Sequence, residues 1–386
     1  MKIGIAGPVA LDLLDFDFKG EYIPLHQGFP LMSYLVNGLM KRGHQIIVYS
    51  ISDKINEPFV YENKQLTICL GRHQPHAGRD MFKSERADLV YLMKKHPADI
   101  INAHWSYEYG WAAIDSGIPT VVTVRDHATT ILLYQYSPYR VMRWLMNFIV
   151  LRKAKYLTTN SYYLWELLTK KQQKRATIIT NFYASNLENH FPESTKKSNF
   201  IVSVNNGFNK RKNIANGLLA FSILKKKYPE LQYYLVGTDM QEGEVAQRFA
   251  IENNITEGVL FIGNKPFTEV IQIIKSAKVL MHTSREESFG NVVLEAMVVG
   301  TPVVGGKKSG NIPFLLNNGK AGMLCDVDSP EDIAKAVSKI IEDQNYALDL
   351  REKAFAYAKA NFSQEAVIDK YLNLYAHILN NKKQPS

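Results

Sequence analysis

The feature that most constrains the fold is a strand–loop–helix–strand unit in the last third of the chain. A short apolar run, 279–281, predicts a buried strand, and a polar loop containing Gly290 follows it. An apolar segment opened by Asn291 predicts a helix that stops at Gly300, and residues 301–304 predict a second strand. A unit of this kind favours an α/β fold, in which helices cover both faces of a parallel sheet.

The same alternation of strands and helices recurs along the chain, and it is interrupted once. Residues 186–199 are polar, contain proline and lack periodicity, so we place a domain linker there. A chain of 386 residues is also too long for one ordinary core. We therefore predict two Rossmann-like, doubly wound domains that face each other across a cleft, over residues 1–190 and 191–362.

Composition narrows the classes of protein and partner. The hydrophobic fraction of 46% and the charged fraction of 22% are those of a globular protein, and the net charge of +9 suits anionic partners. Nucleic acid, an anionic membrane surface and phosphorylated substrates all fit that charge. Two cysteines provide no disulfide framework, and neither a signal peptide nor a run long enough to span a membrane is expected. We expect a cytoplasmic protein, soluble or peripheral on the inner face of the membrane.

Two carboxylates flank the predicted helix start in the opening unit. Glu287 lies in the loop after the strand, and Glu295 lies early in the helix, with seven residues between them. Ligands bind at the carboxyl ends of the strands in an open α/β sheet, and a helix start offers free N–H groups to an anion. Surface carboxylates that only complement the helix dipole are the plain alternative. The surrounding glycine, helix start and strand favour a ligand site.

A basic loop stands at the equivalent place after the strand at 200–204. Lys210, Arg211 and Lys212 precede a predicted helix, where positive charge opposes the dipole. A multiply charged anion bound between the cations would remove that conflict. A solvated basic loop is the alternative, and the position at the ligand edge favours phosphate binding.

Fewer signals appear in the first half. His104 follows one predicted strand, and Asp126 and His127 follow another, so these side chains are candidates for a site. A long loop through Gly28 follows the first strand, either as a flexible connection or as a substrate-contacting loop. It lacks the G-x-G-x-x-G turn that a dinucleotide-dependent dehydrogenase needs. The helical pattern at 138–155 mixes arginines with aromatic residues and fits a membrane surface and a core-packed helix equally well.

The segment E-S-F-G-N-V-V-L-E-A-M followed by G-T-P-V-V resembles the E-x7-E signature of glycosyltransferase family 4, a group of retaining enzymes with the GT-B fold. The basic loop, together with 235–237 and 261–263, falls in the order of that family. Weaker similarities occur at 42–44, 99–105 and 119–126 in the first half. Residues 363–386 resemble the terminal helix that crosses back to the first domain. The resemblance implies that this first domain binds the acceptor.

The resemblance implies a nucleotide-diphosphate sugar bound mainly by the second domain. Glu295 would accept hydrogen bonds from ribose hydroxyls, and Glu287 would lie near the transferred sugar. Lys212, with Arg211 and Lys210, would neutralise the diphosphate as it leaves. The remaining donor contacts implied by the family pattern are Gly207, Gly263, Asn264, Phe289, Gly290 and Asn291.

Three positions depart from the family pattern. Gly207 stands where an arginine is common, and Phe314 stands where a carboxylate often follows Ile-Pro. Arg125 stands where a histidine is often found, and His127 comes two residues later. The sugar contact in the first domain is therefore open among His127, Asp126 and Arg125, while Gly28 and His104 remain candidates for the acceptor side.

The expected function is sugar transfer from a nucleotide-diphosphate sugar to an acceptor, with retention of configuration. The acceptor would be lipid-linked or a growing bacterial surface polysaccharide. We expect no metal and no cofactor beyond the donor co-substrate, and no nucleic-acid partner. The alternative is a catalytically silent sugar-nucleotide-binding subunit, which the three departures would explain. The sugar, the base and the linkage are left open by the sequence.

Overall fold

A computed structural model describes residues 1–26, 28–191 and 197–383. The chain divides into two compact units. The first comprises Met1–Phe182 together with the terminal segment from Gln364, and the second comprises Tyr183–Ser363. The predicted linker at 186–199 thus begins inside the second unit, and its residues 192–196 lie outside the described part of the chain.

Within the described residues, the first unit is built on an eight-stranded sheet with the strand order β3-β4-β2-β1-β5-β6-β7-β8. All neighbouring strands are parallel except β3, which runs antiparallel to β4 at one edge. The strands are β1 Lys2–Ala6, β2 Gln45–Ser52, β3 Phe59–Glu62, β4 Leu66–Arg72, β5 Ile100–His104, β6 Thr120–Val124, β7 Tyr156–Thr159 and β8 Ala176–Ile178. The helices that connect them are α1 Pro30–Lys41, α2 Lys83–Lys95, α3 Glu108–Asp115, α4 Ala128–Tyr134, α5 Pro138–Lys153, α6 Tyr162–Glu166 and α7 Lys170–Gln173.

The described part of the second unit carries a six-stranded, fully parallel sheet in the order β11-β10-β9-β12-β13-β14. This is the doubly wound order of a Rossmann fold. The strands are β9 Phe200–Val204, β10 Gln232–Val236, β11 Val259–Gly263, β12 Val279–His282, β13 Val303–Gly306 and β14 Met323–Cys325. The helices are α8 Ile214–Lys227, α9 Val245–Glu252, α10 Phe267–Ser276, α11 Asn291–Val298, α12 Ile312–Leu315, α13 Pro330–Glu342 and α14 Gln344–Phe362. Short 3-10 turns lie at Leu11–Leu13, Ala77–Asp80, Ser185–His190 and Asn317–Gly319.

The terminal helix α15, Gln364–Lys383, packs in the core of the first unit. It lies so close to α1 at Gly38 that a β-carbon there would come within 2.0 Å of the Ile368 side chain. The Tyr375 hydroxyl accepts a hydrogen bond from Asn102 of β5 at 2.7 Å. These contacts join the last helix of the chain to the first domain.

The parallel α/β class is confirmed, but α4 and the antiparallel strand β3 were not predicted. Asp343 caps α14 by accepting the Tyr346 N–H, and Ser161 caps α6 by accepting the Leu164 N–H. In the described part of the chain, no helix combines the length and apolarity that crossing a membrane requires.

Each sheet has a point where the strand order reverses. In the first unit this point lies between β1 and β5, and in the second it lies between β9 and β12. Loops that leave the carboxyl ends of two such strands diverge and open a crevice, where ligands bind in sheets of this kind. The basic loop and the Glu287 loop leave β9 and β12, so both border the crevice of the second unit.

Candidate functional site

Two ion pairs join the loops that leave β9 and β12. Lys212 Nζ lies 2.6 Å from Glu287 Oε1, and Arg211 Nη1 lies 3.1 Å from Glu286 Oε2. The four side chains are largely buried. The cations at the helix start are therefore balanced by carboxylates of the neighbouring loop, whereas the sequence suggested a bound anion in that role. The Lys210 side chain, by contrast, is exposed.

The two carboxylates differ in their protonation behaviour. Burial by itself would raise the pKa of Glu287, but Lys212 and His282 outweigh it and hold the pKa well below its usual range. His282 Nε2 lies 3.5 Å from the same Oε1 atom. Burial raises the pKa of Glu286, although Arg211 opposes that shift. Glu287 is thus a fixed anion at neutral pH, beside a lysine that an incoming phosphate would also attract.

The Glu287 loop is held from behind by the start of α12. The Asn311 N–H donates to the Glu287 carbonyl at 2.9 Å, and the Asn311 side chain donates to the Phe289 carbonyl at 3.2 Å. Phe289 is buried, and its ring packs edge-on against Phe362. Gly290 has a φ of +100°, and a β-carbon there would come within 2.7 Å of Ile312. These contacts fix the backbone that leads into α11, and the positive φ of Gly290, its N-cap residue, favours glycine there.

The basic loop is shaped by two asparagines. Asn209 Oδ1 accepts the N–H groups of both Arg211 and Lys212 at 3.1 Å, which turns the chain before α8. Asn213 adopts a left-handed conformation and donates to the carbonyls of Thr283 and Val327 at 3.2 and 2.7 Å. The second asparagine therefore ties the basic loop to the loop after β12.

Two buried hydrogen-bond donors at this edge of the sheet have no partner among the described residues. These donors are Arg211 Nε and Asn205 Nδ2. Asn205 directly follows β9, and Arg211 lies in the same loop. Buried donors of this kind are costly unless a ligand or water satisfies them.

Glu295 lies on the partly exposed face of α11. Residues 291, 292 and 295 are half-buried, while the residues between and after them are buried. Burial raises the pKa of the Glu295 carboxyl to about 7, and no charged or hydrogen-bonding neighbour among the described residues contributes to that shift. Asn291 and Glu295 are four residues apart and therefore share one face of the helix.

A third loop borders the same edge. Gly263 ends β11 with a φ of +71°, and its carbonyl accepts the Gly237 N–H at 2.8 Å. Thr238 donates to the Asn264 side chain at 3.3 Å. Gly207, with a φ of +97°, has its N–H bonded to the Thr238 carbonyl at 3.1 Å. The loops after β9, β10 and β11 are thus connected by short hydrogen bonds.

In the first unit, the corresponding edge is organised around a buried arginine. Arg125 donates through Nε and Nη2 to His104 Nδ1 at 3.1 and 2.6 Å, and through Nη1 to the Asn181 side chain. Its guanidinium also lies over the rings of Phe29 and Trp105. Burial and the Arg125 charge lower the pKa of His104 well below its usual range. His104, a sequence candidate for the acceptor side, is fully buried in contact with Arg125.

The other predicted residues of the first unit occupy local roles. Asp126 accepts a hydrogen bond from the Tyr107 hydroxyl at 2.7 Å. His127 caps α4, where its Nδ1 atom lies 2.6 Å from Thr130 Oγ1. Gly28 lies so close to the Val9–Ala10 backbone that a β-carbon would clash within 2.1 Å of Ala10 N. Burial lowers the pKa of His127, so its imidazole is neutral at pH 7.

The structure brings together Lys212, Arg211, Glu287 and the start of α11, as the sequence indicated for the second unit. Sequence reasoning missed Glu286, His282, Asn209 and Asn311. Glu286 could have been predicted, because the sequence has two adjacent carboxylates, Glu286 and Glu287, and two adjacent cations, Arg211 and Lys212, that could pair with them. The supporting contacts of His282 and Asn311 join residues that only the folded sheet places side by side.

Two family descriptions match the chain. Residues 31–184 match the family Glycosyltransferase Family 4, and residues 186–358 match the family Glycosyl transferases group 1. Together they cover most of both units.

Two curated relatives match part of the chain. The D-inositol 3-phosphate glycosyltransferase of Corynebacterium jeikeium is 32% identical over 167 residues, which are 42% of this chain and 39% of that protein. The lipopolysaccharide core biosynthesis glycosyltransferase LpsE of Rhizobium meliloti is 29% identical over 150 residues, or 39% of this chain and 43% of that protein. The chain thus spans about two fifths of the length of these relatives.

A solved structure matches nearly the whole chain. Anabaena Alr3699/HepE in complex with UDP-glucose superposes with a TM-score of 0.70 at 16% identity, covering 98% of this chain and 100% of that chain. This likeness shows the fold and agrees with the GT-B class predicted from the sequence.

Proposed function

Because the chain belongs to the glycosyltransferase family 4 group, we propose that it transfers a sugar from a nucleotide-diphosphate sugar to an acceptor, with retention of configuration. One observation carries this proposal. At the switch point of the second sheet, Lys212 and Arg211 meet the Glu286–Glu287 loop beside the start of α11. Cations, buried donors and a helix N-terminus suit a diphosphate.

The donor is held in the crevice of the second unit. Lys212 and Arg211 exchange part of their contact with the carboxylates for the diphosphate, and they stabilise the charge that develops as it leaves. Lys210, which is exposed beside them, adds a long-range attraction. The N–H groups at Gly290 and Asn291 and the neighbouring Phe289 backbone hold phosphate and sugar oxygens.

The remaining residues of the second unit bind the nucleoside and the sugar. Glu295, whose carboxylate shares a helix face with Asn291, accepts hydrogen bonds from the ribose diol. Gly207, Gly263 and Asn264 border the base. Glu287 lies beside the transferred sugar, where its negative charge stabilises a cationic sugar carbon in the transition state. The Anabaena structure with the same fold contains UDP-glucose, which supports a nucleotide-sugar donor.

The first unit supplies the acceptor side. Asp126 and His127 are the candidates to contact the sugar, since both lie in the loop that leaves β6 after Arg125. Gly28 lies in the loop that leaves β1. His104 is buried in contact with Arg125, so the acceptor would meet the residues around this pair and not the His104 side chain itself. The transfer needs no metal in this proposal, since lysine and arginine provide the positive charge.

The acceptor is a lipid-linked glycan or a growing bacterial surface polysaccharide, at the cytoplasmic face of the membrane. The named role of the Rhizobium relative in lipopolysaccharide core biosynthesis supports this acceptor class. A second candidate is a catalytically silent sugar-nucleotide-binding subunit. It is favoured by Gly207, Phe314 and Arg125, which replace residues common in the family.

A donor assay separates the two candidates. Wild-type protein is incubated with UDP-, GDP- and ADP-sugars, and released nucleoside diphosphate is measured with and without membrane-derived glycolipid. We expect nucleoside diphosphate to be released from one donor type, and the release to fall at least tenfold in Glu295→Ala and in Lys212→Ala. Calorimetric binding of a donor without any release would support the silent subunit, and full activity in both variants would sink the proposed site.

A further inference from the structure

The positive charge of the chain is concentrated in one segment of the first unit. Residues 128–175 contain nine lysines and arginines and one carboxylate, Glu166, a net charge of +8. The whole 386-residue chain carries +9. The segment includes α4 to α7 and the strand β7 between them. The buried side chains of α5 and α6 carry no charge, so the excess of positive charge in these 48 residues lies on the protein surface.

The helices of this segment lie on one face of the sheet. The crossovers from β6 to β7 and from β7 to β8 step in the same direction, and right-handed crossovers of that kind occupy the same face. Val150 and Leu151 of α5 and Leu164 of α6 belong to one buried cluster. The inner sides of α5 and α6 therefore pack on the same part of the sheet, and their outward sides face away from it.

The outward side is unusually apolar and aromatic. Leu133 is 82% exposed, Tyr136 80% and Phe148 55%. Leu145 and Phe148 are three residues apart on α5 and share its outer face, and Trp144 stacks on Phe148. Trp144 Nε1 donates to Thr129 of α4 at 3.1 Å, which joins the outer side of α5 to the start of α4.

Several cations of the same segment have no carboxylate partner among the described residues. Within the described residues, Arg143 pairs with Glu108 and Lys153 pairs with Asp115, whereas Arg152, Lys155 and Lys174 form no ion pair. Arg152 is four residues after Phe148 and extends the same helix face, and both Arg152 and Lys155 are exposed. Exposed leucine and aromatic side chains beside lysine and arginine match the composition of a surface that lies in the interface of an anionic bilayer.

From this juxtaposition we infer that the outer face of α4–α7 docks on an anionic lipid surface. Phe148, Leu133 and Tyr136 enter the headgroup region, and Arg152, Lys155 and the cations near α7 lie against lipid phosphates. Charge complementarity selects this occupant, because an apolar protein partner would not require the excess of cations. The inference deepens the proposed function, since it assigns a surface that would bring the enzyme to a lipid-linked acceptor. It does not depend on the donor site.

Flotation with vesicles tests this surface directly. Wild-type protein is mixed with vesicles of phosphatidylcholine, with and without phosphatidylglycerol, and bound protein is measured across lipid concentrations. We expect binding only with phosphatidylglycerol and weakening with added salt. In Arg152→Glu/Lys155→Glu, binding should fall roughly 25-fold, since each cation near an anionic surface contributes on the order of fivefold. Leu133→Ser/Phe148→Ser should also weaken it, by roughly tenfold.

Matched controls lie on the second unit. Lys226→Glu/Lys320→Glu makes the same change in net charge at exposed lysines, and Ile251→Ser removes an aliphatic side chain that is 58% exposed. Both should float like the wild type, and thermal melting should show that every variant is folded. Three results would overturn the inference: the control variants lose as much vesicle binding as the variants of the first unit, the wild type binds vesicles without phosphatidylglycerol equally well, or it binds an RNA oligonucleotide more tightly than anionic vesicles. If the wild type floats with anionic vesicles but binds no nucleotide-sugar donor, the proposed function is contradicted and the inferred lipid-binding surface is still supported.

Discussion

The two units share one fold but use charge differently at equivalent edges. At the switch point of the second sheet, cations and carboxylates pair across two loops, and Glu295 is left without a charged neighbour among the described residues. In the first unit, Arg125 is buried among a neutral histidine, an asparagine side chain and two aromatic rings. The first arrangement can exchange partners with an anionic ligand. The second is a closed network that supports the loops around it.

The largest expected effect comes from breaking the pair that joins the two loops of the second unit. Lys212→Met leaves Glu287 buried with His282 as its remaining ion-pair partner among the described residues, so the free energy of unfolding should fall by roughly 4 kcal/mol. Adding Glu287→Gln removes the uncompensated charge and should recover most of that loss. Chemical denaturation of the single and double variants measures both effects. If Lys212→Met unfolds like the wild type, the pair is not part of the framework.

Breaking the network of the first unit tests the other side of the comparison. Arg125→Met removes both donors from His104 Nδ1 and one from Asn181, and it should lower the free energy of unfolding by roughly 3 kcal/mol. Arg125→Lys keeps one donor and should lose less. Donor affinity measured by calorimetry should stay unchanged in any folded Arg125 variant. A loss of donor affinity without loss of stability would make Arg125 a ligand contact instead.

The isolated carboxylate predicts a pH dependence. The pKa of Glu295 in the folded protein, about 7, lies above its ordinary value of 4.5, so the native state binds more protons between these values. Stability is therefore lost as the pH rises through that window. Glu295→Gln should be more stable than the wild type by on the order of 2 kcal/mol at pH 8, and equally stable below about pH 4. Identical pH profiles of the two proteins would show that Glu295 is well solvated.

The smallest effect is expected at His127. Its imidazole caps α4, so His127→Ala should cost about 1 kcal/mol, the usual contribution of an N-cap. His127→Asn provides a capping control and should retain most of the stability. Measured transfer rates add a second comparison, because a purely capping role predicts that the asparagine variant stays active. Inactivity of His127→Asn with full stability would place His127 at the reacting sugar.

Sequence patterns predicted the part of the molecule that is local in the chain. The strand before Glu287, the helix opened by Asn291 and its stop near Gly300 lie within one segment, and turn and capping rules apply there. Lys212 was selected for its charge, but its partner is 75 residues away and depends on the order β9–β12. His104 was a candidate for the acceptor side, but no local pattern shows that it is fully buried in contact with Arg125. α4 was missed because its seven residues lack a clear polar face.

A calorimetric titration with UDP tests the central claim, that the crevice between β9 and β12 binds the donor diphosphate. The informative protein is Lys212→Met/Glu287→Gln, which should fold like the wild type while lacking the lysine charge. We predict that UDP binds the wild type and that its affinity falls at least tenfold in this double variant, about the contribution of one charge-assisted contact. The same affinity in both proteins would contradict the account.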